Sequence, residues 1–398
     1  MKLLAEITTA AVLIFEVCLA GVALADQLSL VPSISARGAY NDNLFFTSSE
    51  ETSDFFTEVR PAIAFKQATE NFSLNAAAEM IIESFADKTD LNTVDRKFTA
   101  DALLWSHPRL KFNLSGLYLK DTTLNEELTE GGLLLSRNDR SRYSATAGFA
   151  WMAGERTDLD LGISYNDLEY DDPGVSDHHE TRVYGGISRR LSNFKTSIFL
   201  QPSYVHYKFD AGKAENYQAL AGIRHDFTER TSLQILAGPN HVRSERTSIR
   251  VGGVLGPYIF LKTVAERESL SGWVTSIEAK KACERGSLRA GYTEEITGSG
   301  YGLILRRRHS YLSSSFQFSE RLRGNLDLSC FRIKTESEEV RTNYKTYSAG
   351  GSLSYKLNEQ ADITLHFRHS EIDDCIIDKE AERNMIYFEI KVYTIKEL

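Results

Sequence analysis

Apolar and polar residues alternate one by one along this chain, and the alternation returns in segment after segment. In 157–165, Asp158, Asp160, Gly162 and Ser164 interleave with Leu159, Leu161, Ile163 and Tyr165. Leu110, Phe112, Leu114 and Tyr118 alternate in the same way with Lys111, Asn113 and Ser115. Arg142, Ser144, Thr146 and Gly148 alternate with Tyr143, Ala145, Ala147, Phe149 and Trp151, and near the end Ala361, Ile363, Leu365 and Phe367 with Asp362, Thr364, His366 and Arg368. Period two is the signature of strands with one polar and one apolar face. No stretch carries the pattern of an ordinary helix.

A soluble sandwich alternates too, so the period alone leaves the class open. The segments run about ten residues or more, which exceeds the usual globular strand and suits a tilted membrane crossing. Their connections also come in two kinds. Ala153-Gly154-Glu155, Thr228-Glu229-Arg230, Ser319-Glu320-Arg321 and Asn358-Glu359-Gln360 are tight, whereas 41–53, 122–138, 169–180, 244–268, 337–343 and 372–382 are long and polar. Short turns on one side and long loops on the other mark an outer-membrane barrel. The expected fold is therefore all-β: a transmembrane antiparallel up-and-down β-barrel of about eighteen strands between Val31 and Tyr393, with both ends periplasmic.

Two places fit less easily. Segment 249–264, with Gly252, Gly253 and Gly256 followed by the apolar run Tyr258, Ile259, Phe260 and Leu261, reads as a long loop. Such a run is costly to leave in water, so it is the candidate pore-closing loop. Pro202 and Pro239 sit inside strand-like segments, where each removes a ladder donor and suggests a bulge.

Composition refines the class. Ile7 to Ala25 is apolar and closes in Ala23-Leu24-Ala25, the small-x-small pattern of a secretory signal, so the expected organisation is a signal peptide over 1–25 and a barrel over 26–398. Mean hydropathy is -0.30, as expected where lumen-facing and lipid-facing residues average out. A net charge of -9 gives no nucleic-acid footprint. Cys283, Cys330 and Cys375 are odd in number and lack metal spacing, so neither a disulfide framework nor a metal site is expected.

The first strand and loop carry a more specific signal. Ala39-Tyr40-Asn41-Asp42-Asn43-Leu44-Phe45-Phe46, followed by Asp54-Phe55-Phe56-Thr57-Glu58-Val59-Arg60-Pro61, resembles the opening of the β-barrel porins of the second type. The recurring apolar-Thr/Ser-Glu-Arg turn is similar to theirs as well. The resemblance implies an outer-membrane barrel of a kind often linked to exopolysaccharide export loci, and it brings no catalytic residues. A membrane barrel has outer-membrane lipids, lipopolysaccharide and the barrel-assembly machinery as expected partners, and the export reading adds periplasmic polysaccharide-export components. The sequence departs from the usual barrel ending on an aromatic residue, because Tyr393 is followed by a tail to Leu398.

Alternation points Glu58, Arg60, Lys66, Lys111, Asp158, Asp160, Arg182, Arg224, Asp226, Arg289, Glu295, Asp362 and Arg368 toward the lumen. Both signs are present, so strong ion selectivity is not expected. Asp171, Asp172, Asp177, His178, His179 and Glu180 cluster in one loop, and Asp373, Asp374, Asp378, Glu380 and Glu382 in another. These are oxygen-rich, but they lack the spacing of a built calcium site. Arg306-Arg307-Arg308-His309 is a basic run at a strand start, placed to meet an anionic polymer or lipid phosphate. No GxSxG, HExxH, phosphate-loop or dinucleotide pattern occurs, so neither an enzyme nor a cofactor is expected. Three functions remain open: an exopolysaccharide conduit, a diffusion porin for small solutes, and a structural or adhesive barrel.

Overall fold

Eighteen antiparallel strands close on themselves in the computed structural model of this chain, which describes residues 27–122, 138–172, 176–210, 212–255, 258–298, 304–335, 343–376, 379–394 and 396–397. The expected signal segment lies outside the described residues. In order the strands are β1 Gln27–Asn41, β2 Asp54–Ala68, β3 Phe72–Phe85, β4 Thr93–His107, β5 Leu110–Thr122, β6 Asp139–Met152, β7 Thr157–Tyr170, β8 His178–Arg190 and β9 Thr196–Phe209. They continue with β10 Gly212–Thr228, β11 Thr231–Leu255, β12 Tyr258–Cys283, β13 Gly286–Gly298, β14 Ile304–Gln317, β15 Leu322–Thr335, β16 Asn343–Asn358, β17 Ala361–Asp374 and β18 Lys379–Tyr393. Each strand pairs with its sequence neighbour, and β1 pairs with β18 from Ser33↔Tyr393 to Asn41↔Met385, which removes both edges. The C-terminal tail extends this seam, since Ser29↔Glu397 and Leu30↔Lys396 add two further rungs.

The connections sort by side. Those after β2, β4, β6, β8, β10, β12, β14 and β16 are all tight and lie with the two chain ends, while the opposite rim carries the longer loops, among them 42–53. Between the rims the apolar members of each alternation are exposed on one face, including Leu161 at 48%, Phe112 at 41% and Leu365 at 46%. Aromatic rows bound this band. Tyr40–Phe55, Tyr118–Tyr143 and Tyr204–Tyr217 form tilted ring pairs on the loop side with centroids 4.7, 5.1 and 5.0 Å apart, whereas Phe72, Phe112, Trp151, Phe227 and Tyr355 lie toward the turns. From Tyr143 to Trp151 the chain rises about 20 Å, at about 3.3 Å per residue and about 40° tilt. An exposed apolar belt of that height between aromatic rows, on a closed barrel, is a membrane-facing surface of the outer-membrane type. No described helix is long and apolar enough to cross a membrane, and crossing falls to the strands.

The described residues of segment 249–264, which exclude 256–257, are not a loop. They extend β11 and β12, which are 25 and 26 residues long against 13 to 17 elsewhere. Leu255↔Tyr258, Val254↔Ile259, Gly253↔Phe260 and Val251↔Leu261 are ladder partners, and the register shifts at Gly252. The glycine that suggested a loop thus takes a bulge, and the ladder satisfies backbone groups that a loop would leave to water. The last rung shared with β10 is Gly212↔Arg246, so the hairpin runs on for about 30 Å beyond it. The two prolines behave more simply than expected. Pro202 keeps its partner Ala219, and at Pro239 the β10–β11 ladder is interrupted between Gln218↔Asn240 and Ala221↔Ala237 without a shift. The ladder loses two rungs there, at 219/239 and 220/238, and the register stays intact.

Candidate functional site

The face opposite the exposed apolar belt lines the barrel. Register puts Glu58 and Arg60 of β2, Lys111 of β5, Asp158 and Asp160 of β7, Arg182 of β8, Arg224 and Asp226 of β10, Arg289 of β13, and Asp362 and Arg368 of β17 on that face. Several are paired along their own strand, two residues apart: Arg182–Glu180 at 3.2 Å, Arg224–Asp226 at 3.0 Å, and Arg60 with Glu58. Arg289 instead reaches Glu278 across the ladder at 3.5 Å, where Lys280 also bonds at 2.7 Å. Lys356, Asp362 and Lys391 fall in one cross-strand row.

A further charged group spans the closing seam. Arg37 of β1 bonds Glu58 and Glu389 at 3.4 Å each, and lies 4.0 Å over the ring of Tyr387, which stacks on His366 at 4.2 Å. Glu58 is 2% exposed, and the β1–β2 pairing sets this buried carboxylate between two cations, while closure of β1 on β18 adds Glu389. Another arc carries no formal charge in mid-wall. On β9 to β11, Ser203 donates to Gln218 at 3.3 Å and Asn240 to Asn216 at 2.5 Å. On β15 to β17, Asn325 donates to Ser352 at 3.0 Å and Thr364 to Ser354 at 3.1 Å, while the next row toward the loops holds Asp327 and Arg368 on either side of Gly350. The wall therefore sets one neutral amide–hydroxyl stretch, on β9 to β11, among charged ones.

Loop 42–53 enters the mouth of this lumen. Leu44 packs with Ala39, Phe56, Phe85 and Met385, and Phe46 with Ile372 and Ala381, all from the inward register. Arg383 lies 4.8 Å above the Phe46 ring. Asn43 is fully buried and holds the loop: its Nδ2 donates to the carbonyls of Thr47 at 2.8 Å and Glu382 at 2.9 Å, and its Oδ1 accepts from the Thr47 amide at 3.0 Å. Asp42 fixes the entry, accepting from the Asn384 amide at 2.6 Å and side chain at 2.8 Å. Phe46 adopts φ 51°, a left-handed conformation that a bulky residue holds only where its surroundings over-determine it. Sequence reasoning missed this element. The signal was available in Leu44-Phe45-Phe46, an apolar tripeptide in a polar loop, subject to the same argument from water that singled out 258–261.

Other candidates are redistributed. Tyr258, Ile259, Phe260 and Leu261 belong to the β12 ladder and form no loop. His178, His179 and Glu180 are strand residues of β8, with His179 2.6 Å from Asp167 and Glu180 paired to Arg182. Asp373 and Asp374 end β17, Glu380 and Glu382 lie in β18, and Asp378 is outside the described residues. Among the described residues no group of three or more His, Cys, Asp or Glu is disposed to hold a metal, and the three cysteines are free. The run 306–308 splits by parity: Arg307 bonds Glu295 from the lumen at 2.7 Å, while Arg306 and Arg308 share Glu294 on the outer face at 2.9 and 3.3 Å.

By sequence the chain matches no protein-family model and no curated protein. Solved structures similar in outline include the ferric-catecholate import receptor Fiu of E. coli K12, with 8% identity, 91% of this chain and 81% of that chain covered, and a TM-score of 0.48. The outer membrane protein OpdK of Pseudomonas aeruginosa is similar at 9% identity over 92% of this chain and 99% of its own, with a TM-score of 0.45. OccAB3 of Acinetobacter baumannii is similar at 11% identity over 93% and 100%, with a TM-score of 0.43.

Proposed function

We propose that this protein sits in the outer membrane of a Gram-negative bacterium and conducts an exopolysaccharide outward, with no catalytic step of its own. The resemblance of its opening motif to second-type barrel porins supplies the substrate class. The observation that carries the reading is the neutral amide–hydroxyl arc in the lumen wall on β9–β11. A polyhydroxylated chain exchanges hydrogen bonds with such a surface without stripping a buried charge of its partner, so it slides at low cost. The inward-folded loop 42–53 adds a narrowing at the mouth, which suits a conduit that must not leak while empty.

A diffusion porin for small solutes is the second reading, favoured by the paired charges of Arg37, Glu58, Arg60 and Glu389 that would accommodate ions of either sign. Single-channel recording in planar bilayers separates the two. Under the conduit reading, resting conductance is low and neutral oligosaccharides interrupt it in long, length-dependent blocks. Large steady conductance with no effect of chain length refutes export and leaves the diffusion porin.

A further inference from the structure

On the outer face, just above the loop-side aromatic row, the ladder assembles cations that the sequence scatters. Glu294↔Arg308, Arg308↔Arg332, Arg332↔Lys345 and Lys345↔Asp373 are successive partners across β13 to β17. Three cations therefore stand side by side on adjacent strands, flanked by one carboxylate at each end. Arg306↔Lys334 repeats the arrangement one rung higher. Directly opposite like charges destabilise a sheet, and nothing in the barrel requires them there.

The flanking carboxylates engage only the ends of the row. Arg308 bonds Glu294 at 3.3 Å and Lys345 bonds Asp373 at 3.5 Å. Arg332, in the centre, donates to the neutral amide of Asn343 at 3.2 Å, and among the described residues no carboxylate lies within ion-pair distance of it. Arg308 and Arg332 are exposed, and Lys345 partly so. The rung below holds Tyr292, Ser310, Cys330 and Tyr347, and beneath it Leu328 and Leu326 are exposed in the apolar belt. Cations above an aromatic row above a greasy strip form the mirror of one kind of molecule: a lipid whose headgroup carries phosphate at the height of the rim.

We propose that Arg308, Arg332 and Lys345 form a binding site for the phosphate groups of an outer-leaflet glycolipid, whose acyl chains lie along Leu326 and Leu328. The site rests on the outer-membrane reading but not on what the lumen conducts. Guanidinium and ammonium donors bond phosphate oxygens strongly in this setting, and the lipid phosphates relieve the repulsion along the row.

The test uses purified full-length protein and native mass spectrometry with three probes: bis-phosphorylated lipid A, the same lipid stripped of phosphate, and inorganic phosphate. Intact protein is expected to hold the phosphorylated lipid about a hundredfold more tightly than the stripped one, given about fivefold per cation. Arg308→Gln with Arg332→Gln and Lys345→Gln should erase that preference. The control Arg96→Gln with Lys208→Gln and Lys213→Gln, which removes rim cations from other strands, should keep it. Equal retention of both lipids, an undiminished preference in the first triple variant, or inorganic phosphate binding as tightly as the lipid would each overturn the proposal. Should the triple variant fail to fold, Arg332→Gln alone must lose about fivefold while Arg332→Lys retains most of the preference.

Discussion

Asn43→Ala is the most informative single change, because one side chain ties the mouth loop to the barrel. It removes three hydrogen bonds, to the carbonyl and amide of the half-buried Thr47 and to the Glu382 carbonyl. At a net 0.5–1.5 kcal/mol per bond, the inward loop loses about 3 kcal/mol, or about a hundredfold in its equilibrium against release. Burial of Leu44 and Phe46 opposes release by roughly 3–6 kcal/mol together, so the single variant is expected to keep the loop inward but flickering. Adding Phe46→Ala takes away a further ~3 kcal/mol or more and should tip the balance to an open mouth. The ladder is untouched, so thermal unfolding of the barrel should hardly move. In planar bilayers the expected series is quiet low conductance for the intact protein, brief openings for Asn43→Ala, and sustained higher conductance for the double variant. Deleting hairpin residues 250–262 should leave conductance where it was. If the double variant conducts like the intact protein, while a cysteine at Thr52 shows by thiol labelling that its loop is released, the loop does not set the aperture.

Three further predictions probe the wall. Leu161→Arg should cost about 2–4 kcal/mol in bilayer unfolding experiments, whereas Asp160→Arg should be nearly neutral, and similar costs would reverse the assignment of faces. A membrane-impermeant thiol reagent, in a background lacking native cysteines, should label cysteines at Asp160, Asn113 and Thr364 but not at Leu161, Phe112 and Leu365; equal labelling would contradict a membrane barrel. Glu58→Gln should destabilise by about 3–5 kcal/mol, because Arg37 and Arg60 lose the carboxylate between them, and a denaturation midpoint unchanged within error would show that these pairs contribute little.

The strands and their two faces are local properties, and the sequence alone determines them. Leu161 and Asp160 differ by one residue, so they point apart wherever the strand lies, and pairs such as Glu180–Arg182 or Arg224–Asp226 follow from a two-residue spacing on one face. What neighbours a residue across the ladder is another matter. Arg37 meets Glu389 only because β1 closes on β18, and Arg308, Arg332 and Lys345 form a row only because three registers align. The basic run 306–308 looked like one patch, yet pleating sends Arg307 inward and its neighbours outward. Tyr258 to Leu261 and Leu44 to Phe46 are both apolar runs among loop-forming residues, and the sequence cannot say which gains a ladder and which folds into the mouth. Period two is written into each strand by its own residues, whereas register, closure and the fate of a loop are set by backbone and side-chain partners hundreds of residues away.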